Sequence, residues 1–368
     1  MSKIDVLMTV YNCGHYIEEA LTSIQNQTLS DIRIIIVNDG STDQTEEIIL
    51  QKKNTDPRIE YYKQSNKGIV AALQNGLQYC TAPFIARHDG DDISLPTRFE
   101  KQIEYLEQNK DCVAVSSYVK NIRSDGTPED KPVYTFPLED IDPYTFPASE
   151  PYISQPMLML RASVFHQAGG YRSLRSAEDT DLYWRLRHFG RLHVIPEILG
   201  KYRVHQQSTT SGSLSNLRQS TFWSELAALS EQRRLEGRPD FSFSAENLER
   251  FRSLQTWDHL MQSIAPELHT TEKWWLSHAC AAKYAEFLKT RHFVPEQSDI
   301  QFWARNLTGD KKLSETLTMT ILQLWEHAHK NAALSLAFQA GSPAAVLKFF
   351  KRLRSSKKLK DSVTPLPT

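Results

Sequence analysis

The chain predicts an α/β fold: an open, mostly parallel sheet with flanking helices, followed by an all-α C-terminal region. Three observations carry this expectation. Over about the first 200 residues, apolar β-branched runs alternate with segments of helical spacing, the pattern of strand–helix–strand units with right-handed crossovers. Several of these runs end in a polar or acidic turn, and open sheets bind ligands beyond the carboxyl ends of their strands. From about residue 213 onward only three- and four-residue apolar spacing remains.

The elements follow in order. Ile4 to Tyr11 is apolar and β-branched and reads as a strand, and residues 15–27 place Ile17, Leu21 and Ile24 on one helical face. Ile32 to Val37 is almost entirely Ile and Val, as in a parallel strand buried on both faces. The turn Asp39-Gly40-Ser41-Thr42-Asp43 leads into a helix over about 43–53. Ile59 to Tyr62, Phe84 to Arg87 and Cys112 to Ser117 are further strands, separated by helices over about 68–79 and 95–109. Residues 121–153, with Pro128, Pro132, Pro137, Pro143, Pro147 and Pro151, read as an irregular excursion, a lid or acceptor loop. Met157 to Leu160 is a strand candidate, and a helix over about 178–189 carries Leu182, Leu186 and Phe189. Beyond a boundary near 208–215, helical runs lie around 272–289, 313–328 and 331–339. The organisation expected is an α/β domain over 1–210, a helical domain over 211–345 and a basic tail over 346–368.

Composition excludes several classes. The 368 residues hold 43 Lys plus Arg against 44 Asp plus Glu, a net charge of −1, which argues against a nucleic-acid binder relying on overall basicity. No window approaches the roughly 18 apolar residues of a membrane span. The N-terminus lacks a basic segment followed by an apolar one and a cleavage site, so a cytoplasmic location is expected. Cys13, Cys80, Cys112 and Cys280 form no CxxC pair and read as small buried thiols in a reducing compartment.

Chemistry concentrates in a few turns. Asp89-Gly90-Asp91-Asp92 crowds carboxylates that repel one another unless a cation intervenes, and all-oxygen donors suit Mg²⁺ or Mn²⁺. The same acids would equally cap the helix beginning near Leu95. Asp39 either accepts hydrogen bonds from a base or ribose or serves a capping turn. Glu178-Asp179 opens an amphipathic helix, where acids are favoured by the dipole and also suit a general base. His205 alone admits a structural or a ligating role. No G-x-G-x-x-G and no G-x-x-x-x-G-K-[ST] occurs, which removes the usual warrant for a dinucleotide enzyme or P-loop NTPase.

The ordered set Val6 to Asn12, Ile36 to Asp43, Asn66-Lys67-Gly68 with Asn75-Gly76, Ala86 to Asp92, Gly169-Gly170-Tyr171, Ala177 to Leu182 and Tyr202 to His205 resembles the family 2 glycosyltransferases, inverting enzymes of the GT-A fold. The resemblance spans about residues 3–208. It implies that Asp89-Gly90-Asp91 is the DXD motif, with Asp89 on ribose or metal and Asp91 on the divalent ion. It implies Asp39 on the uracil edge, Thr9 and Tyr11 lining the nucleotide pocket, and Lys67 and Arg87 as phosphate or nucleotide contacts. It implies Asp179 as catalytic base and His205 as a further metal and diphosphate contact. The expected cofactor is Mn²⁺ or Mg²⁺, the donor a UDP-sugar and the acceptor a saccharide or lipid-linked saccharide. The processive Q-x-x-R-W motif is replaced by Leu182-Tyr183-Trp184-Arg185-Leu186-Arg187, so transfer of a single sugar is expected. Gln155 stands where relatives often carry His or Asn. The layout is similar to bacterial lipooligosaccharide β-1,3-N-acetylglucosaminyl-, galactosyl- or glucosyltransferases. A silent sugar-nucleotide-binding module and a nucleotidyltransferase are the competing readings.

Residues 348–360 hold seven Lys or Arg and no acid, beside Val346, Phe349, Phe350 and Leu353 on one helical face. This segment reads as an attachment to anionic lipid on the inner leaflet or as a solvated terminal helix.

Overall fold

A computed structural model describes residues 2–129, 138–205, 213–243, 251, 254–290, 293–308, 311–327 and 329–340. Residues 130–137 of the Pro-rich excursion, most of the expected linker and the tail 346–368 lie outside the described residues. The chain divides into two compact units. One comprises Met1–Ile141, Glu150–Ser211 and Ser242–Leu248; the other comprises Asp142–Ser149, Gly212–Phe241 and Glu249–Thr368.

The first unit contains β1 (Ile4–Val10), α1 (Ile17–Gln25), β2 (Ile32–Asn38), α2 (Thr45–Thr55), β3 (Ile59–Lys63), α3 (Ile69–Leu77), β4 (Phe84–Asp89), β5 (Ile93–Ser94), α4 (Arg98–Gln108), β6 (Cys112–Arg123), β7 (Met159–Arg161), α5 (Ala162–Gln167), α6 (Glu178–Leu186) and β8 (Arg191–Val204). The strands form one sheet in the order β3-β2-β1-β4-β7-β6-β8-β5. β3, β2, β1 and β4 run parallel. β7 is antiparallel to β4 and β6, and β8 is parallel to β6.

The apolar runs sort by alternation. Ile4, Val6, Met8, Ile34 and Ile36 pack with Ile17, Leu21, Ile49 and Phe99 on one face. Leu7 and Ile35 pack with Val70, Leu73, Leu182 and Leu186 on the other. Successive strand side chains point to opposite faces, so a central strand covered on both sides must be apolar throughout. Close approach of α3 to this sheet requires Gly76, where a Cβ would lie 2.4 Å from Leu7 Cδ1.

Three element expectations need correction. β6 continues to Arg123, so the irregular excursion starts later than expected. The strand expected at 157–160 begins only at Met159, after a short 3₁₀ turn over Gln155–Met157. The 14-residue β8 was not anticipated at all. Pro196 and Glu197 interrupt its apolar pattern where its register with β6 slips, between the Ser117–Ile195 and Tyr118–Ile198 pairs. Pro donates no N–H and is tolerated at such irregularities, so pairing partners define this strand more than its own composition does.

The second unit contains α7 (Leu214–Leu235), α8 (Trp257–Ile264), α9 (Thr270–Thr290), α10 (Gln297–Asn306), α11 (Lys311–Glu326) and α12 (Lys330–Gln339). Its interior includes charge as well as apolar surface: Arg218 of α7 donates to both oxygens of the fully buried Asp299, which also accepts from Trp257 Nε1 at 3.1 Å. Among the described residues, no helix is long and apolar enough to cross a membrane.

Candidate active site

The site is built on the carboxyl ends of β1, β2 and β4. Parallel register sets Thr9 beside both Val37 and Asp89. The β4 run stays buried through His88 and reaches half-exposed positions only at Asp89. Gly90 makes the turn possible: a Cβ there would lie 2.8 Å from Cys13 Sγ and 3.0 Å from Val10 Cγ1. Its place in the site is therefore steric, letting the turn sit down on the end of β1.

Asp91 Oδ2 lies 2.8 Å from His205 Nε2. The two residues are held together by Arg203, two positions before His205 along the chain. Arg203 donates from its backbone N–H to Asp92 Oδ1 and from Nε to the Asp91 carbonyl, both at 2.8 Å. Its guanidinium also reaches Glu19 and stacks over Tyr16, whose ring packs 5.0 Å from that of His205. Sequence reasoning passed over Arg203. The available signal was its i, i+2 spacing to His205, which places both on one face of a strand end.

The structure gives Arg87, Asp39 and the Asp89, Asp91 and His205 group the following internal contacts. Arg87 is almost wholly buried, and its guanidinium donates to Leu7 O at 3.1 Å and to Asp89 Oδ1 at 2.6 Å. It lies behind Asp89, on the inner side of the turn. Asp39 is also buried, with Oδ1 accepting from Gln64 Nε2 and Lys67 N and Oδ2 from Gly68 N. Its carboxylate shapes the 64–68 loop, which holds the exposed Lys67 side chain at the rim. Asp89, Asp91 and His205 do not form one three-ligand group: among the described residues, no three His, Cys, Asp or Glu side chains converge as a metal cage. Tyr11 is open to solvent and Thr9 half-buried.

The second acidic element is the start of α6. Ala177 adopts a left-handed conformation at the N-cap (φ 59°), turning the chain into Glu178-Asp179. Burial raises the Asp179 carboxyl to about 6, with the charges of Glu150 and Asp89 adding to the effect. Burial and the neighbouring Asp179 raise Glu178 to about 7. The helix is anchored from below by the fully buried Asp181, which accepts from Nε of Arg172 at 2.9 Å and from Nε and Nη2 of Arg185 at 3.0 and 2.7 Å. Asp179 thus shares an electrostatic environment with the β4 acids, though 90 positions separate it from Asp89 in the chain. A carboxyl raised toward neutrality is matched to proton abstraction.

Asp91 and His205 are the residues that could hold a divalent ion here. Asp91 and His205 supply two adjoining donors, and Mg²⁺-type ions are typically held by one or two protein carboxylates with water and phosphate oxygens completing the shell.

A mostly parallel sheet with acidic turns at the carboxyl ends of its strands is a GT-A-like architecture. The family model for glycosyl transferase family 2 matches residues 5–169. An uncharacterized glycosyltransferase of Rickettsia typhi is 30% identical over 226 residues, covering 60% of this chain and 70% of that protein. The amylovoran biosynthesis glycosyltransferase AmsE of Erwinia amylovora is 30% identical over 203 residues, covering 54% and 75%. The structure of S. aureus TarS 1–349 in complex with UDP-GlcNAc superposes with a TM-score of 0.55 at 14% identity, covering 93% of this chain and 91% of that one. The mannosyltransferase PcManGT from Pyrobaculum calidifontis, in complex with GDP-Man and Mn²⁺, gives 0.50 at 14% identity, covering 95% and 87%. The chain belongs to glycosyltransferase family 2.

Proposed function

We propose that this protein is a metal-dependent, inverting glycosyltransferase that moves one sugar from a UDP-sugar to a saccharide or lipid-linked saccharide hydroxyl, forming a β-linkage in bacterial surface glycan synthesis. UDP-GlcNAc is the favoured donor, with UDP-Gal and UDP-Glc next. The observation that carries the reading is the 2.8 Å approach of His205 to Asp91 across 114 positions of chain. A polysaccharide-biosynthesis relative and a fold neighbour that binds UDP-GlcNAc support the glycan and the donor.

Asp91 and His205 would hold the ion, with Asp89 toward the ribose. When bound, a divalent ion neutralises charge developing on a departing diphosphate. Asp179 accepts the proton of the acceptor hydroxyl as that oxygen attacks the anomeric carbon. The nucleoside diphosphate leaves from the opposite face, so an α-linked donor gives a β-linked product with no covalent enzyme intermediate. Thr9, Tyr11 and Lys67 line the nucleotide side.

The test is a donor screen in Mn²⁺ that scores free nucleotide. Metal-dependent UDP release from one UDP-sugar supports the proposal. Pyrophosphate release would make the protein a nucleotidyltransferase. Binding of UDP with no turnover in the presence of saccharide acceptors would make it a silent binding module.

A further inference from the structure

We propose that Arg87 is a positioning residue, a buried cation that holds Asp89 from behind and keeps the acidic turn in its binding geometry before any ligand arrives. The inference rests on that turn being the nucleotide and metal site.

Arg87 is 1% exposed, whereas the Asp89 side chain is 30% exposed. The pair therefore runs from interior to cleft, with the guanidinium on the inner side. Its Nη1 bonds the Leu7 carbonyl of β1 and its Nη2 bonds Asp89 Oδ1, so one planar fork ties the central strand to the turn. The backbone is pinned as well: Arg87 N–H donates to Leu158 O at 2.8 Å, and the Arg87 carbonyl accepts from the buried Arg98 at 2.7 Å. The Nε has no partner.

A buried cation with an unfilled donor is costly unless it performs a task. The task is visible in the turn. Asp89, Asp91 and Asp92 crowd three carboxylates into four residues, and like charges at that spacing push one another outward. A fixed cation behind the first of them offsets that repulsion without occupying the ligand side. Lysine has no fork and cannot serve both Leu7 O and Asp89 in the same way.

The test is a double-mutant cycle on UDP affinity in Mn²⁺, by calorimetry, with Arg87→Met, Asp89→Asn and the pair. Each single change is expected to weaken binding by about tenfold or more, with Arg87→Lys in between. If Arg87 acts through Asp89, the double variant binds no worse than Asp89→Asn alone. Multiplying losses would overturn the proposal, since a merely structural role or a direct ligand contact gives independent effects. Should Arg87→Met fail to fold, the cycle is run with Arg87→Lys. A wild type that binds Mn²⁺ and not UDP removes the donor reading alone, and the cycle is then read on Mn²⁺ affinity. A wild type that binds neither removes both proposals.

Discussion

Asp179 and Asp181 stand two residues apart on the first turn of α6 in opposite electrostatic settings. Asp181 is fully buried between Arg172 and Arg185. Asp179 is half-buried, and its carboxyl is raised to about 6 by loss of solvent and neighbouring acids. One acid is spent on stability and the other is held at a cost to it.

Replacing Asp181 with Ala leaves two arginines without their shared acid. Breaking a buried ion pair in this way costs about 3–5 kcal/mol. Denaturant unfolding should show a loss of that order, and a loss under about 1 kcal/mol would contradict the anchoring role.

Asp179→Asn should act in the reverse sense. Transfer is expected to fall by roughly 10²–10⁴-fold, the usual contribution of a general base. Donor affinity should persist. Because the wild-type carboxyl is harder to ionise folded than unfolded, its charge penalises the native state at neutral pH. The Asn variant should therefore melt no lower than wild type at that pH. Near-normal turnover would remove Asp179 as the base.

The base must be ionised to take a proton, so kcat/KM should fall as pH drops through about 6. Glu150 contributes to that elevation. Glu150→Gln should move the acid limb to lower pH, whereas an unmoved or raised limb would exclude Asp179 as the titrating group.

His205→Ala should raise the Mn²⁺ concentration needed for half-maximal UDP release by about tenfold or more. An unchanged Mn²⁺ requirement would show that the Asp91–His205 contact is structural only.

Ala177 holds a backbone conformation that costs an L-residue about 1–2 kcal/mol. Glycine adopts it freely and loses about 0.5–1 kcal/mol in chain entropy. Ala177→Gly should thus stabilise by up to about 1 kcal/mol. A marked destabilisation would mean that the Ala177 methyl packs usefully at the head of α6.

Much of the fold was legible locally. The strands at Ile4, Ile32 and Phe84 announce themselves because both faces are covered, which demands uninterrupted apolar runs. β8 was hidden because Pro196, Glu197 and Lys201 break its pattern, and β6 and β5 define it by pairing. At the site, the acids of the β4 turn and of α6 stood out as motifs. Arg203 did not: its i, i+2 spacing to His205 marks a shared face, but its contacts with Asp91, Asp92 and Glu19 join residues distant in the chain.

By itself the sequence determined the alternating α/β architecture, the family and the chain positions at which acids gather at strand ends. These depend on periodicity and short motifs, which report the environment of neighbouring residues. Only the tertiary structure decided which side of the turn each charge occupies. It set His205 on Asp91, turned the Asp39 carboxylate onto the 64–68 backbone and sank Arg87 behind Asp89. Those outcomes follow from strand register and from pairing a buried charge with its counter-ion, and both involve residues distant in the chain.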